Sequence, residues 1–234
     1  MNKFIVVTGG TRGIGRAIAS KFAREGFDVA TCARDQNGLD DLKVELENTC
    51  SGKVITCLVN LADKTQVKAF TDFINGLHRT IDVLVNNAGF FVPGSIMEES
   101  EGILESMINS NVYSAYYVTR GLFGLMKEQT SGHIFNICSI ASFQAYPNGG
   151  SYTISKFALL GFSKVLREEL KEYGIRVTAV MPGATRTASW DGTEMPDERF
   201  MKAEDVAETV YAAYTLSKRS VVEEIIIRPQ LGDL

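Results

Sequence analysis

Phe4-Ile5-Val6-Val7-Thr8-Gly9-Gly10-Thr11-Arg12-Gly13-Ile14-Gly15 is an apolar β-branched run, then a glycine-rich turn, and it leads directly into the helical stretch Arg16 to Arg24. Glycines permit positive φ and close backbone approach, and the free N–H groups and dipole of a following helix attract phosphate. The expected unit is therefore strand, turn and helix around a pyrophosphate. Gly10 and Gly15 also have the separation of a triphosphate-binding loop, but Arg16-Ala17 stand where Lys-Ser/Thr would hold the β/γ-phosphates and magnesium. That reading is rejected.

The same alternation continues along the chain. Val29 to Cys32, Val54 to Leu58, Val83 to Val85, Ile134 to Ile137, Val177 to Val180 and Val222 to Ile227 read as further strands, separated by segments of helical period. From Lys64 to His78, for example, Val67, Phe70, Ile74 and Leu77 share one helical face. Seven strands with right-handed helical crossovers predict an α/β, doubly wound parallel sheet with helices on both faces and a ligand crevice at the strand carboxyl ends. With 234 residues and 45% hydrophobic composition, one domain over 1–234 is expected. Ile103 to Met126 and Ser155 to Leu170 are apolar nearly all round, which predicts either a second buried face, as in a homodimer or homotetramer, or a thick core within one chain.

Composition narrows the partners. The net charge is −4 and no long Lys/Arg cluster occurs, which argues against nucleic acid. The run Phe4 to Val7 is too short for a signal-peptide core or a membrane span, so a cytosolic protein is expected. Cys32, Cys50, Cys57 and Cys138 have no CxxC spacing and read as reduced thiols; His78 and His133 lack companions at metal spacing, so no metal is expected.

The end of the second strand bears on which dinucleotide binds. A carboxylate there would bond the ribose 2′-hydroxyl of NAD, whereas arginine accommodates the 2′-phosphate of NADP. Cys32-Ala33-Arg34-Asp35 puts Ala33 at the expected carboxylate position with Arg34 next, and Arg12 within the glycine turn can reach the same phosphate. NADP(H) is expected; Asp35 would favour NAD if the strand ran one or two residues further.

Tyr152 and Lys156 lie four residues apart on a helical stretch, with Ser139 and Asn111 upstream. The spacing alone is weak, since chance supplies it about 0.4 times in a chain of this composition, and Tyr214 and Lys218 repeat it. Only the first pair follows a dinucleotide turn and has polar companions; the second is read as part of a surface helix. Reducing a carbonyl needs hydride at carbon and a proton at oxygen. Tyr152 can donate that proton, a lysine one turn on favours the phenolate left behind, and Ser139 after the fifth strand can stabilise charge on the substrate oxygen.

Together, Thr8-Gly9 through Gly15, Asn86-Asn87-Ala88-Gly89, Asn111, Ser139, Tyr152-x-x-x-Lys156 and Pro182-Gly183-x-x-x-Thr187 resemble the short-chain dehydrogenase/reductases over essentially the whole chain. The resemblance implies a Rossmann fold and an NADP(H)-dependent oxidoreductase acting on CH–OH and C=O groups. It implies that Gly9, Thr11, Arg12, Gly13, Ile14, Gly15, Arg34, Asn60 and Leu61 face the cofactor. Asn87, Ala88 and Gly89 would support the sheet and line the adenosine ribose; Pro182, Gly183, Thr185 and Thr187 would hold the carboxamide. Lys156 would hold the nicotinamide ribose, and Asn111 would hold a water relaying protons to it. Phe90, Phe91, Gln144, Tyr146 and Trp190 are expected around a small, largely apolar carbonyl substrate, with Ala188 to Phe200 as a compact lid. A 3-oxoacyl-thioester reductase and a sepiapterin-type pterin reductase remain alternatives, as does a non-catalytic NADP(H)-binding regulator.

Overall fold

Every residue of β1 (Phe4–Thr8) is buried, because helices cover both of its faces. Side chains alternate across a strand: Ile5 and Val7 join one hydrophobic cluster, Phe4 and Val6 the other. A computed structural model describes residues 1–190 and 192–233. In it β2 (Asp28–Ala33), β3 (Val54–Leu58), β4 (Val83–Asn86), β5 (Gly132–Ile137), β6 (Ile175–Pro182) and β7 (Glu224–Ile227) complete one parallel sheet, ordered β3-β2-β1-β4-β5-β6-β7. This is the expected seven-stranded Rossmann architecture. The sequence of strands runs outward from β1 to β3, then crosses to β4 on the other side of β1. Chains leaving β1 and β4 diverge there, opening a crevice at their carboxyl ends.

Seven α-helices occur among the described residues: α1 (Gly13–Arg24), α2 (Gln36–Thr49), α3 (Lys64–Gly76), α4 (Ile103–Ile108), α5 (Ser114–Glu128), α6 (Gly150–Leu170) and α7 (Ala203–Thr215). Residues of α1, α2 and α7 pack on the face carrying Ile5 and Val7; those of α3, α5 and α6 cover the other. Ile103 to Met126 is not one regular helix. A π-helical turn, Asn109–Tyr113, separates α4 from α5 and holds Asn111 at its centre. Such turns widen the helix by a residue per hydrogen-bonded ring and re-aim the side chains within it. Tyr214 and Lys218 also differ from expectation. α7 ends at Thr215, so Lys218 lies beyond it, while Tyr214 is half-buried against Phe22 and Phe27. No helix among the described residues is long and apolar enough to cross a membrane.

Candidate active site

The crevice is a cleft of about 960 Å³ running from the glycine turn past β2 to the start of α6. Its phosphate end is built by backbone. Gly9 and Gly13 take φ of 69° and 53°, conformations that disfavour side chains. Arg12, at the N-cap of α1, makes no side-chain cap bond, so the first amide groups of the helix are left for a ligand. Asn87 locks the turn: its Nδ2 donates to the Thr8 and Gly9 carbonyls at 2.9 and 3.0 Å, and its amide donates to Thr8 Oγ1 at 3.0 Å. Gly15, in contrast, does not line the cleft. A Cβ there would lie 2.3 Å from both Gly9 O and Asn87 Nδ2, so its glycine serves close packing of helix on turn.

β2 stops at Ala33, and Asp35 stands beyond it at the N-cap of α2. Its carboxylate meets the Arg12 guanidinium at 2.8 Å, with the two side chains 39% and 71% exposed. The Gly38 amide and then Arg12 hold the Asp35 carboxyl below its usual range. A pair this solvated is loosely held, so Arg12 is free to turn to a phosphate. Arg34 is exposed on the same rim. Across from them Leu61 is buried, and Asn60 Oδ1 accepts from the Ala62 amide at 3.2 Å.

At the other end, Ser139, Tyr152 and Lys156 line the same cleft. Ser139 caps a short 3-10 turn, Ile140–Ser142, and its Oγ accepts from the Ala141 amide at 3.1 Å. That role uses a lone pair and leaves the hydroxyl proton for another acceptor. Lys156 is buried; its Nζ donates to the Ile137 carbonyl at 2.8 Å and lies 5.6 Å from the Tyr152 ring centre. Two of its three donors remain for a ligand. Phe91 packs edge-on against Tyr152, centroids 4.8 Å apart. Asn111 is not part of the wall. Its Oδ1 accepts from the Phe90 amide at 2.9 Å, and its Nδ2 donates to Phe90 O at 3.1 Å and Ser155 Oγ at 2.9 Å. The side chain ties the strand-end segment to α6.

The loop after β6 closes the cleft from above. Thr185 Oγ1 donates to Gly183 O at 3.0 Å, and a Cβ on Gly13 would come within 2.9 Å of Thr187 Cγ2, so this loop reaches the phosphate turn. Thr11, Ile14, Ala88, Gly89, Pro182, Gly183, Phe90, Tyr146 and Trp190 all line the cleft. Trp190 stacks edge-on against Phe200, and Arg186 pairs with Asp197 at 2.9 Å, which ties down the described part of the expected lid; Asp191 lies outside the described residues. Gln144 points elsewhere: it is exposed and accepts from Arg228 at 3.0 Å. Asp233 was not foreseen. It reaches the wall from 87 residues away, accepts from Tyr146 Oη at 3.1 Å, and is clasped by Arg228 at 3.0 Å. Burial foremost, with Asp233 adding to it, pushes the Tyr146 phenol up to about 12. Cys138, also on the wall, is a free thiol that burial pushes up to about 11.

Open amides at a helix N-terminus, two glycines at positive φ and arginines beside the second strand fit a phosphorylated dinucleotide. Residues 3–197 match the sequence profile of the short chain dehydrogenases. A sepiapterin reductase of Chlorobaculum tepidum is 35% identical over 243 aligned positions, covering 100% of this chain and 99% of the relative. An alcohol dehydrogenase from the archaeon Thermococcus sibiricus, solved with 5-hydroxy-NADP, superposes with a TM-score of 0.93 at 27% identity and covers 100% of this chain and 99% of its own. An L-sorbose reductase from Gluconobacter frateurii, solved with NADPH and L-sorbose, has a TM-score of 0.90 at 27% identity, with 97% and 95% covered.

Proposed function

Because this chain belongs to the short chain dehydrogenase family of oxidoreductases, we propose that it is an NADPH-dependent reductase of ketones or aldehydes in which Tyr152 is the general acid. One observation carries the reading: Tyr152, Lys156 and Ser139 meet in a single cleft that continues to the Gly9–Gly13 turn and to Arg12 and Arg34. Gly9, Thr11, Gly13 and Ile14 would hold the pyrophosphate, Arg12 and Arg34 the 2′-phosphate, and Asn60 and Leu61 the adenine side. Pro182, Gly183, Thr185 and Thr187 would hold the carboxamide. When bound, NADPH supplies the hydride that reaches the carbonyl carbon.

The chain's own residues handle the oxygen. Ser139 donates a hydrogen bond to it and Tyr152 donates the proton, so negative charge is neutralised as it develops. Lys156 keeps one donor on Ile137 O and offers the others to the nicotinamide ribose, while its charge stabilises the phenolate left on Tyr152. Phe90, Phe91, Tyr146 and Trp190 give the substrate end a largely apolar wall, suited to small hydrophobic carbonyl compounds. A pterin is the second reading, favoured by the full-length similarity to a sepiapterin reductase. The cytosolic setting and an assembly of identical subunits belong to the same proposal; the exposed Tyr113, Ile154, Phe157 and Val165 support the latter.

NADPH oxidation measured against diketones, quinones, pterins and acetoacetyl thioesters tests the reading and ranks the substrates. Tyr152→Phe should lose roughly 100-fold or more of the turnover while still binding NADPH in a fluorescence titration. A variant that keeps more than about a tenth of the turnover sinks the assignment of the acid.

A further inference from the structure

Tyr152 sits in the first turn of α6, and that turn lacks a cap of its own. Its N-cap is Gly149, which has no side chain, and no acidic residue follows in the first turn. Helix starts of this kind are normally served by a side-chain oxygen accepting from the second or third amide. Here the oxygen comes from 52 residues upstream: Glu99 Oε1 accepts from the Ser151 amide at 2.9 Å, and Glu99 Oε2 accepts from the Ser151 hydroxyl. Ser151 is buried and is the second helical residue, immediately before Tyr152.

The surrounding backbone is shaped to admit this carboxylate. A Cβ on Gly150 would stand 2.2 Å from Glu99 Oε1, and one on Gly94 would stand 2.7 Å from Glu99 Cγ. Around it the Gly94 amide donates to Asn148 O at 2.9 Å, and Gly94 bridges to Gly149. The segment so fastened, residues 91–99, also carries Phe91, whose ring meets the edge of Tyr152. Glu99 thus secures the helix start beneath the phenol and the chain that packs over it.

We propose that Glu99 caps α6 from outside the helix and is a positioning residue for catalysis, setting where Tyr152 presents its hydroxyl. The inference rests on Tyr152 being the acid. Misplacement of a reacting group by about 1 Å can cost on the order of 100-fold in rate, so the effect falls on turnover. NADPH is held mainly by other elements and its affinity stays.

The test compares Glu99→Ala, Glu99→Gln and Ser151→Ala by steady-state kinetics, NADPH fluorescence titration and thermal unfolding. Glu99→Ala is expected to lower kcat by roughly 10–100-fold with NADPH Kd within about twofold. Glu99→Gln should recover to within about threefold, because its amide oxygen still accepts from the Ser151 amide and its Nε2 donates to the Ser151 hydroxyl. Ser151→Ala should lower kcat by itself yet add nothing to Glu99→Ala, the signature of one shared interaction; if Glu99→Ala does not fold, Ser151→Ala alone carries the test, and a kcat within about twofold of the parent for it overturns the proposal. A kcat within about twofold of the parent for Glu99→Ala, no rescue by glutamine, or NADPH affinity falling in step with kcat overturns the proposal. Tyr152→Phe measured alongside separates the failures. If it stays active the acid is wrongly assigned, and if it is inactive while Glu99→Ala is not, only the cap is wrong.

Discussion

His133, on β5, is wholly buried and stacked on Phe135 with centroids 3.9 Å apart. Its Nε2 lies 2.7 Å from Thr178 Oγ1, whose own proton goes to Val222 O at 2.6 Å. Nε2 must therefore carry the hydrogen, and Nδ1 is a bare lone pair with no partner among the described residues. Burial first, then the Arg176 charge, drives the imidazole pKa well below 6.5. Above about pH 6.5 both folded and unfolded forms are neutral and the stability is fully present. Below it the unfolded chain binds a proton that the folded chain refuses, so stability falls with pH toward the depressed folded value, by at most about 1.4 kcal/mol per unit. Urea midpoints taken at pH 7.5, 6.5 and 5.5 should decline across that window, before most carboxylates titrate. In His133→Gln the decline should flatten, and an unchanged slope would assign it elsewhere.

At the scale of elements, α1 owes its approach to the sheet to a missing methyl. Gly15→Ala forces a carbon to within 2.3 Å of the Gly9 carbonyl and the Asn87 amide, overpacking of a kind that costs about 1–3 kcal/mol. A lowered Tm with weakened NADPH binding is the expected outcome, since the same contact shapes the turn; an unshifted Tm would show that the helix yields freely. The glycine pattern was legible in the sequence, but not which glycine lines the cleft and which packs against a neighbour. Strands were legible where β-branched and apolar residues follow one another without a break, as in Val54–Leu58, which appears with the expected bounds. Their ends escaped where the ladder continues through polar residues. Asp28 starts β2 because Arg79, the Lys53 amide and Asn2 satisfy its carboxylate inside the protein. The π-helical turn at Asn109–Tyr113 was hidden because one extra residue barely disturbs the apolar period on either side. Glu99, Tyr146 and Asp233 were missed or only half understood for a common reason. Each works through a partner more than 50 residues distant, and local spacing carries no trace of that.

Over the molecule as a whole, part of the apolar surface read from α5 and α6 is interior, including Val118, Leu122, Met126 and Leu166. Tyr113, Ile154, Phe157 and Val165 remain 42–55% exposed. Sedimentation velocity at micromolar concentration should reveal a species heavier than the 25.7 kDa chain, whereas a lone monomer peak would remove the proposed assembly. The sheet order has a consequence for how the protein is made. β1 lies between β2 and β4, and Ile5 pairs with Val83. A ribosome adding about 5–20 residues per second takes roughly 4–16 seconds to bridge that gap. For that interval the uncharged strand Phe-Ile-Val-Val-Thr has one edge unpaired, the kind of segment that other chains can join. Yield during expression is therefore expected to depend on how slowly and how sparsely the chains are produced.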